Sequence, residues 1–220
     1  MACNGGCDLN SFLETYHYSN GTNLEINGYL DDAISEYREA IALNPGEGFY
    51  RYNLGVALLK NCQYNDAYKE LLEAVRLNPE YFEARCALAD VNSAIGFNSL
   101  AIGRYDEAAE SFLEAISIDP GFSNYHNGLG CTLMGIARSN AAGTDQKCLE
   151  SAIRELMAAI DMDGENREAR TNLCTALRLC TSEKLQAEGL EFLSKILEAD
   201  PFDESVRSSF EALAQGEYYI

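Results

Sequence analysis

Eight cysteines and two histidines are the side chains of this 220-residue chain best suited to nucleophilic or metal chemistry. A structural metal site needs about four such ligands converging, and a thiol nucleophile needs a base within hydrogen-bonding reach. Cys3, Cys7 and His17 form the one group near enough in sequence to suggest a metal. Cys3/Cys7 and Cys174/Cys180 are the close cysteine pairs, and neither has the two-residue gap of common zinc or redox motifs. Cys62, Cys86, Cys131 and Cys148 are scattered, as expected of reduced thiols that fill small apolar spaces. His17 sits between Tyr16 and Tyr18, and His126 stands alone, so both read as packing residues. Asp31-Asp32 and the pair Glu107 and Glu110 supply neighbouring carboxylates, but at helix starts, where the helix dipole favours negative charge. There is no phosphate loop and no nucleophile elbow. The expectation is a protein with no catalytic residues, no metal and no cofactor, and so not an enzyme.

Bulk properties narrow the partners. With 35 acidic against 16 basic residues, the formal net charge is -19. Nucleic acids and anionic membrane surfaces reward clusters of Lys and Arg, which argues against both as partners. No apolar run approaches the roughly 18 residues of a spanning helix. The start, Met1 to Cys7, has neither the basic nor the apolar segment of a secretory signal. A cytoplasmic protein without membrane insertion is expected.

One pattern organises the elements. Tyr64 to Pro79 carries Ala67, Leu71, Ala74 and Asn78-Pro79. Leu30 to Pro45 repeats it with Ala33, Tyr37, Ala40 and Asn44-Pro45; Tyr105 to Pro120 with Ala108, Phe112, Ala115 and Asp119-Pro120. Leu149 to Gly164 repeats it with Ala152, Leu156, Ala159 and Asp163-Gly164, and a weaker copy ends at Asp200-Pro201. The spacing predicts helices over about Leu30–Leu43, Gly48–Asn61 and Asn65–Leu77, each pair closed by a proline that cannot continue a helix. An earlier helix from Asn10 is interrupted in the reading by Asn20-Gly21. Pro79 follows Pro45 by 34 residues. Later units are longer, with the extra residues at Val91 to Leu100, which prolongs a helix, and at Arg138 to Asp145, which reads as a loop around Ser139 to Thr144. Insertions on one face often mark where a repeat protein touches something.

These residues resemble the tetratricopeptide repeat, a helix–turn–helix unit. Leu54, Gly55, Leu58, Ala67, Leu71, Ala74 and Pro79 match its signature in one unit; Leu129, Gly130, Leu133, Ala152, Leu156 and Ala159 match in another. Arg51 and His126 stand at the position of the family's tryptophan, and the chain has no Trp. Leu-Gly and the small alanines allow two helices to approach closely, and stacked neighbours complete the core. The resemblance implies an all-α fold of the α-solenoid class, a right-handed superhelix of antiparallel helix pairs. Its units would span about 11–46, 47–80, 81–121, 122–164 and 165–201, with a capping helix at 202–215, a flexible head at 1–9 and a tail at 216–220. Together residues 10–215 would form a single array.

In that family the first helices line a concave groove and supply the ligand contacts. Carried over, this implies a peptide-binding groove of Tyr18, Phe49, Tyr52, Asn53, Val56, Asn124, Asn127, Cys131, Asn172, Thr175 and Arg178. Asn53, Asn127 and Asn172 would bracket a peptide backbone by amide contacts, and Tyr52 and Phe49 would stack on side chains. Chaperone-adaptor members clamp a C-terminal carboxylate with cations. Here Tyr18, Thr22, Glu83 and Ala87 occupy clamp positions around Asn53, two cations are missing, and Glu83 would repel the carboxylate. The expected function is a non-catalytic scaffold for protein–protein interaction, with a basic or apolar peptide or protein segment as partner. The alternative is a self-assembling or complex-assembly subunit, including secretion- or co-chaperone-type adaptors, that forms homo-oligomers or docks through its convex surface or lengthened repeat edges.

Overall fold

A computed structural model describes residues 9–139 and 143–215. The expected head with Cys3 and Cys7, the middle of the Ser139 to Thr144 loop and the tail from Gly216 lie outside these residues. Among them are eleven helices and no strand: α1 (Leu9–Ile26), α2 (Leu30–Leu43), α3 (Gly48–Lys60), α4 (Tyr64–Leu77), α5 (Phe82–Ala101), α6 (Tyr105–Ile118), α7 (Ser123–Ser139), α8 (Gln146–Met162), α9 (Arg167–Leu179), α10 (Glu183–Ala199) and α11 (Glu204–Ala214). The chain forms two compact units that divide between Ala94 and Ile95, inside α5. In the first, α1 packs on α2, α2 on α3 and α3 on α4. In the second, α6 packs on α7, α7 on α8, α8 on α9, and α11 closes over α9 and α10.

The even helices carry the core because their small and large apolar residues fall on one face. Ala33, Tyr37 and Ala40 of α2 are fully buried, as are Ala67, Leu71 and Ala74 of α4, Ala108, Phe112 and Ala115 of α6, and Ala152, Leu156 and Ala159 of α8. The odd helices answer with glycines. A Cβ on Gly55 would lie 2.5 Å from Leu71 Cγ, and one on Gly130 2.7 Å from Leu156 Cγ. The Leu-Gly positions are thus contact points with no room for a side chain.

Two turn devices recur. Between α1 and α2, the Gly28 N–H donates to the Glu25 carbonyl and the Tyr29 N–H to the Leu24 carbonyl. Cys62 and Gln63 repeat this after α3, and Gly103 and Arg104 after α5. This is the Schellman closure, which needs a left-handed residue at its hinge. Gly28 and Gly103 have φ of 83° and 76°, and Cys62 has 58°. Cysteine pays there for its Cβ. Cys62→Gly is therefore expected to stabilise the protein by about 1 kcal/mol, read as a rise in the urea midpoint. The thiol is exposed, so this cysteine fills no apolar space, unlike Cys174 and Cys180, which are buried. After α4, α6, α8 and α10 the closure is an Asx turn. Asn78 Oδ1 accepts from the Glu80 N–H, Asp119 from Gly121, Asp163 from Glu165 and Asp200 from Phe202.

Asn20-Gly21 does not interrupt α1. Gly21 is buried, and a Cβ there would sit 2.9 Å from the Tyr37 ring. The glycine makes room for tyrosine packing and does not end the helix. The lengthening of the third unit is helical, since α5 has 20 residues. In the fourth, α8 begins at Gln146 because Asp145 accepts from the backbone N–H groups of Lys147 and Cys148.

Candidate peptide-binding site

The candidate residues of the first unit gather around aromatic rings. Tyr18 of α1 lies 5.2 Å from Phe49 and 5.3 Å from Tyr50 of α3, centroid to centroid, and 6.0 Å from Tyr37 of α2. Phe49 is 6.5 Å from Tyr81, which precedes α5, and Tyr81 is 5.1 Å from Tyr52. Six rings from four segments thus form one continuous chain. A cavity of about 590 Å³ opens beside it, lined by Glu47, Gly48, Phe49, Leu77, Asn78 and Tyr81. Burial pushes the Tyr50 hydroxyl upward, reinforced by the carboxylates of Glu14 and Glu47. Burial and Glu83 do the same to Tyr52. Burial, Tyr52 and Glu83 take Tyr81 to about 12. These rings stay protonated and neutral. Asn53 spends one amide hydrogen on its own helix, donating to the Phe49 carbonyl at 2.7 Å. Val56 is half-buried further along α3 and joins no ring contact. Tyr50 and Tyr81 were absent from the sequence-based list. The dense run Phe49-Tyr50-Arg51-Tyr52 was the available signal for the first, and nothing local pointed to the second.

In the second unit α7 and α9 bring three candidates together. Asn172 donates to Asn127 Oδ1 at 3.0 Å and lies 3.0 Å from Cys131 Sγ. Asn127 is 1% exposed, so its carbonyl serves α9 from within the protein. A second cavity of about 590 Å³ is lined by Cys131, Met134 and Arg138 of α7, Asn172 and Thr175 of α9, with Leu100 and Tyr105. Thr175 donates back to the Thr171 carbonyl. Asn124 is exposed and accepts from Asn166. Arg178 is half-buried on α9 and lies outside this cavity. Burial pushes the Cys131 thiol up to about 11, with Glu168 reinforcing it, and burial takes Cys174 to about 11 as well. Neither is poised as a thiolate. Among the described residues no three His, Cys, Asp or Glu side chains are grouped to hold a metal.

A third feature escaped the sequence reading as a set. At the family's tryptophan register the chain carries His17, Arg51, Arg85, His126 and Arg170, the first three spaced by 34 residues. His17 pairs with Glu36 at 2.7 Å, Arg51 with Glu70 at 2.8 Å and His126 with Glu155 at 2.8 Å, each reaching the partner helix. Arg170 pairs with Asp203 at 2.5 Å. Arg51, His126 and Arg170 also reach the carbonyls of Pro45, Pro120 and Gly164, six residues before them. An arginine or histidine therefore reaches a carboxylate on a neighbouring segment at the position where the family carries tryptophan. These residues are structural and belong to neither cavity.

The tetratricopeptide-repeat family model matches residues 21–80 and 52–121. Curated protein sequences give no match. Among solved structures, a MamA crystal structure is 18% identical with a TM-score of 0.59, over 94% of this chain and 97% of that one. MamA from Desulfovibrio magneticus, from residue 41 onward, is 17% identical with a TM-score of 0.57, over 87% and 97%. YrrB, described as a TPR protein with an unusual peptide-binding site, is 16% identical with a TM-score of 0.53, over 89% and 90%. Such identities speak for the fold, and the fold is all-helical, of the α-solenoid class. With the repeated helix pairs, the Leu-Gly contacts and the family match in view, residues 21–121 carry tetratricopeptide repeats, and the chain as a whole has a tetratricopeptide-like α-solenoid fold.

Proposed function

We propose that the protein is a non-catalytic scaffold that holds a protein or peptide segment against its first helices. The observation that carries this is the ring chain of the first unit. Phe49 in its middle remains 40% exposed beside an open cavity, so apolar and hydrogen-bonding surface is presented where a segment can lie. The description of YrrB as a peptide-binding repeat protein supports the reading. The test is affinity capture with the tagged chain and with a Tyr52→Ala/Asn53→Ala variant of unchanged helical content. Proteins bound by the parent are expected to be lost from the variant; full retention overturns the placement.

A second reading, self-assembly, draws on α1, where Leu9, Phe12 and Tyr16 recur at helical spacing and are all exposed. Light scattering on the same preparation separates the two. A monomer across micromolar concentrations is expected for the scaffold, and a concentration-dependent dimer for the alternative.

A further inference from the structure

The ring chain of the first unit has neighbours that say which side chains suit it. Glu14 is half-buried on α1, and Glu47 and Glu83 are exposed on either side of α3 in sequence. The field of Glu14 and Glu47 reaches Tyr50, and that of Glu83 reaches Tyr52 and Tyr81. Neither Glu14 nor Glu83 takes part in an ion pair among the described residues. Lys60, whose field reaches Tyr52, is already engaged, holding Glu25 at 2.7 Å. The face therefore combines ring surfaces with carboxylates that lack a counter-ion.

Aromatic faces carry negative quadrupole charge and attract cations, arginine most often because its flat guanidinium stacks as well as pairs. Tyr18 and Phe49 are tilted by 55° to each other, as are Tyr52 and Tyr81, so each pair offers a ring face beside a ring edge. An apolar segment would cover the Glu14 and Glu83 carboxylates without satisfying them, at a cost in desolvation. An acidic segment would meet like charge. We propose that this surface takes a basic peptide segment, with an arginine side chain laid on the Tyr52–Tyr81 rings and its guanidinium facing Glu83. The inference rests on the reading of the protein as a peptide-binding scaffold and adds the chemistry of the ligand.

The test uses fluorescein-labelled short peptides, glycine- and serine-based with several arginines, and a twin in which citrulline replaces each arginine. Citrulline keeps the shape and removes the charge. By fluorescence anisotropy at low ionic strength the arginine peptide is expected to bind at least ~10-fold more tightly than its twin. Added salt is expected to weaken it. Tyr52→Leu and Glu83→Gln are each expected to lower its affinity ~3- to 10-fold. Glu191→Gln, which removes the same charge from α10, is expected to leave it unchanged. Equal binding of the twins, no binding of either, or indifference to Glu83→Gln overturns the cationic ligand. If captured proteins still depend on Tyr52 and Asn53 in that event, the scaffold reading survives the loss of this one. If they do not, both fall.

Discussion

Asp203→Ala is expected to lower stability by about 3–5 kcal/mol, because it strands a buried cation. Arg170 and Asp203 are 8% and 6% exposed, and their pair is 2.5 Å long. Arg170 retains only the Gly164 carbonyl once the carboxylate is gone. The loss falls at the junction where α11 closes over α9 and α10, since Asp203 immediately precedes α11, its backbone carbonyl accepting from the Val206 and Arg207 N–H groups. Val206 and Leu213 of α11 belong to the same apolar cluster as Leu173, Cys174 and Leu177 of α9. Freed of its anchor, α11 is expected to lose amide protection first, by hydrogen exchange over Glu204–Ala214, ahead of the urea transition of the rest. Asp203→Asn, which keeps a hydrogen-bond acceptor, is expected to cost less. Equal loss from both variants would assign the effect to the charge alone, since asparagine keeps the shape and an acceptor.

Phe112→Ala carries a comparable expected cost, about 3–5 kcal/mol, for a different reason. The ring is fully buried, and it is held between glycines. A Cβ on Gly96 would come within 2.9 Å of it, and one on Gly128 within 2.3 Å. Phe97 meets it edge-on at 4.9 Å. Two helices have thus been cut back to backbone around one side chain, so its removal leaves a hole faced on two sides by glycine. Phe112→Leu is expected to cost less, since part of the volume remains. Chemical denaturation followed by far-ultraviolet circular dichroism measures both, and a loss under 1 kcal/mol for the alanine variant would contradict the close fit.

The second helices were legible in the sequence because their signal is local. Ala67, Leu71 and Ala74 lie within one helix, and proline or glycine follows, so period and stop are read from a single window. α1 was harder because the meaning of Gly21 is set by Tyr37 in another helix, and a short-range reading sees only a breaker beside Asn20. The candidate site divides the same way. Tyr18, Phe49 and Tyr52 could be placed by register, and they do share one ring chain. Asn127 was placed on the correct helix, but it is buried, and its hydrogen-bond partner Asn172 lies 45 residues away, which no spacing rule reveals. The recurring basic residues were visible as types at His17 and Arg51, whereas their carboxylate partners Glu36 and Glu70 emerge only when the helices are packed.

The repeated turn closures bear on how quickly such a chain finds its fold. Each Schellman hinge and each Asx turn is completed within six residues, and the packed helices in each unit are sequence neighbours or next neighbours. Little loop entropy must be spent before contacts begin to reward it. Low contact order of this kind goes with folding in microseconds to milliseconds, and with nucleation open to any helix pair.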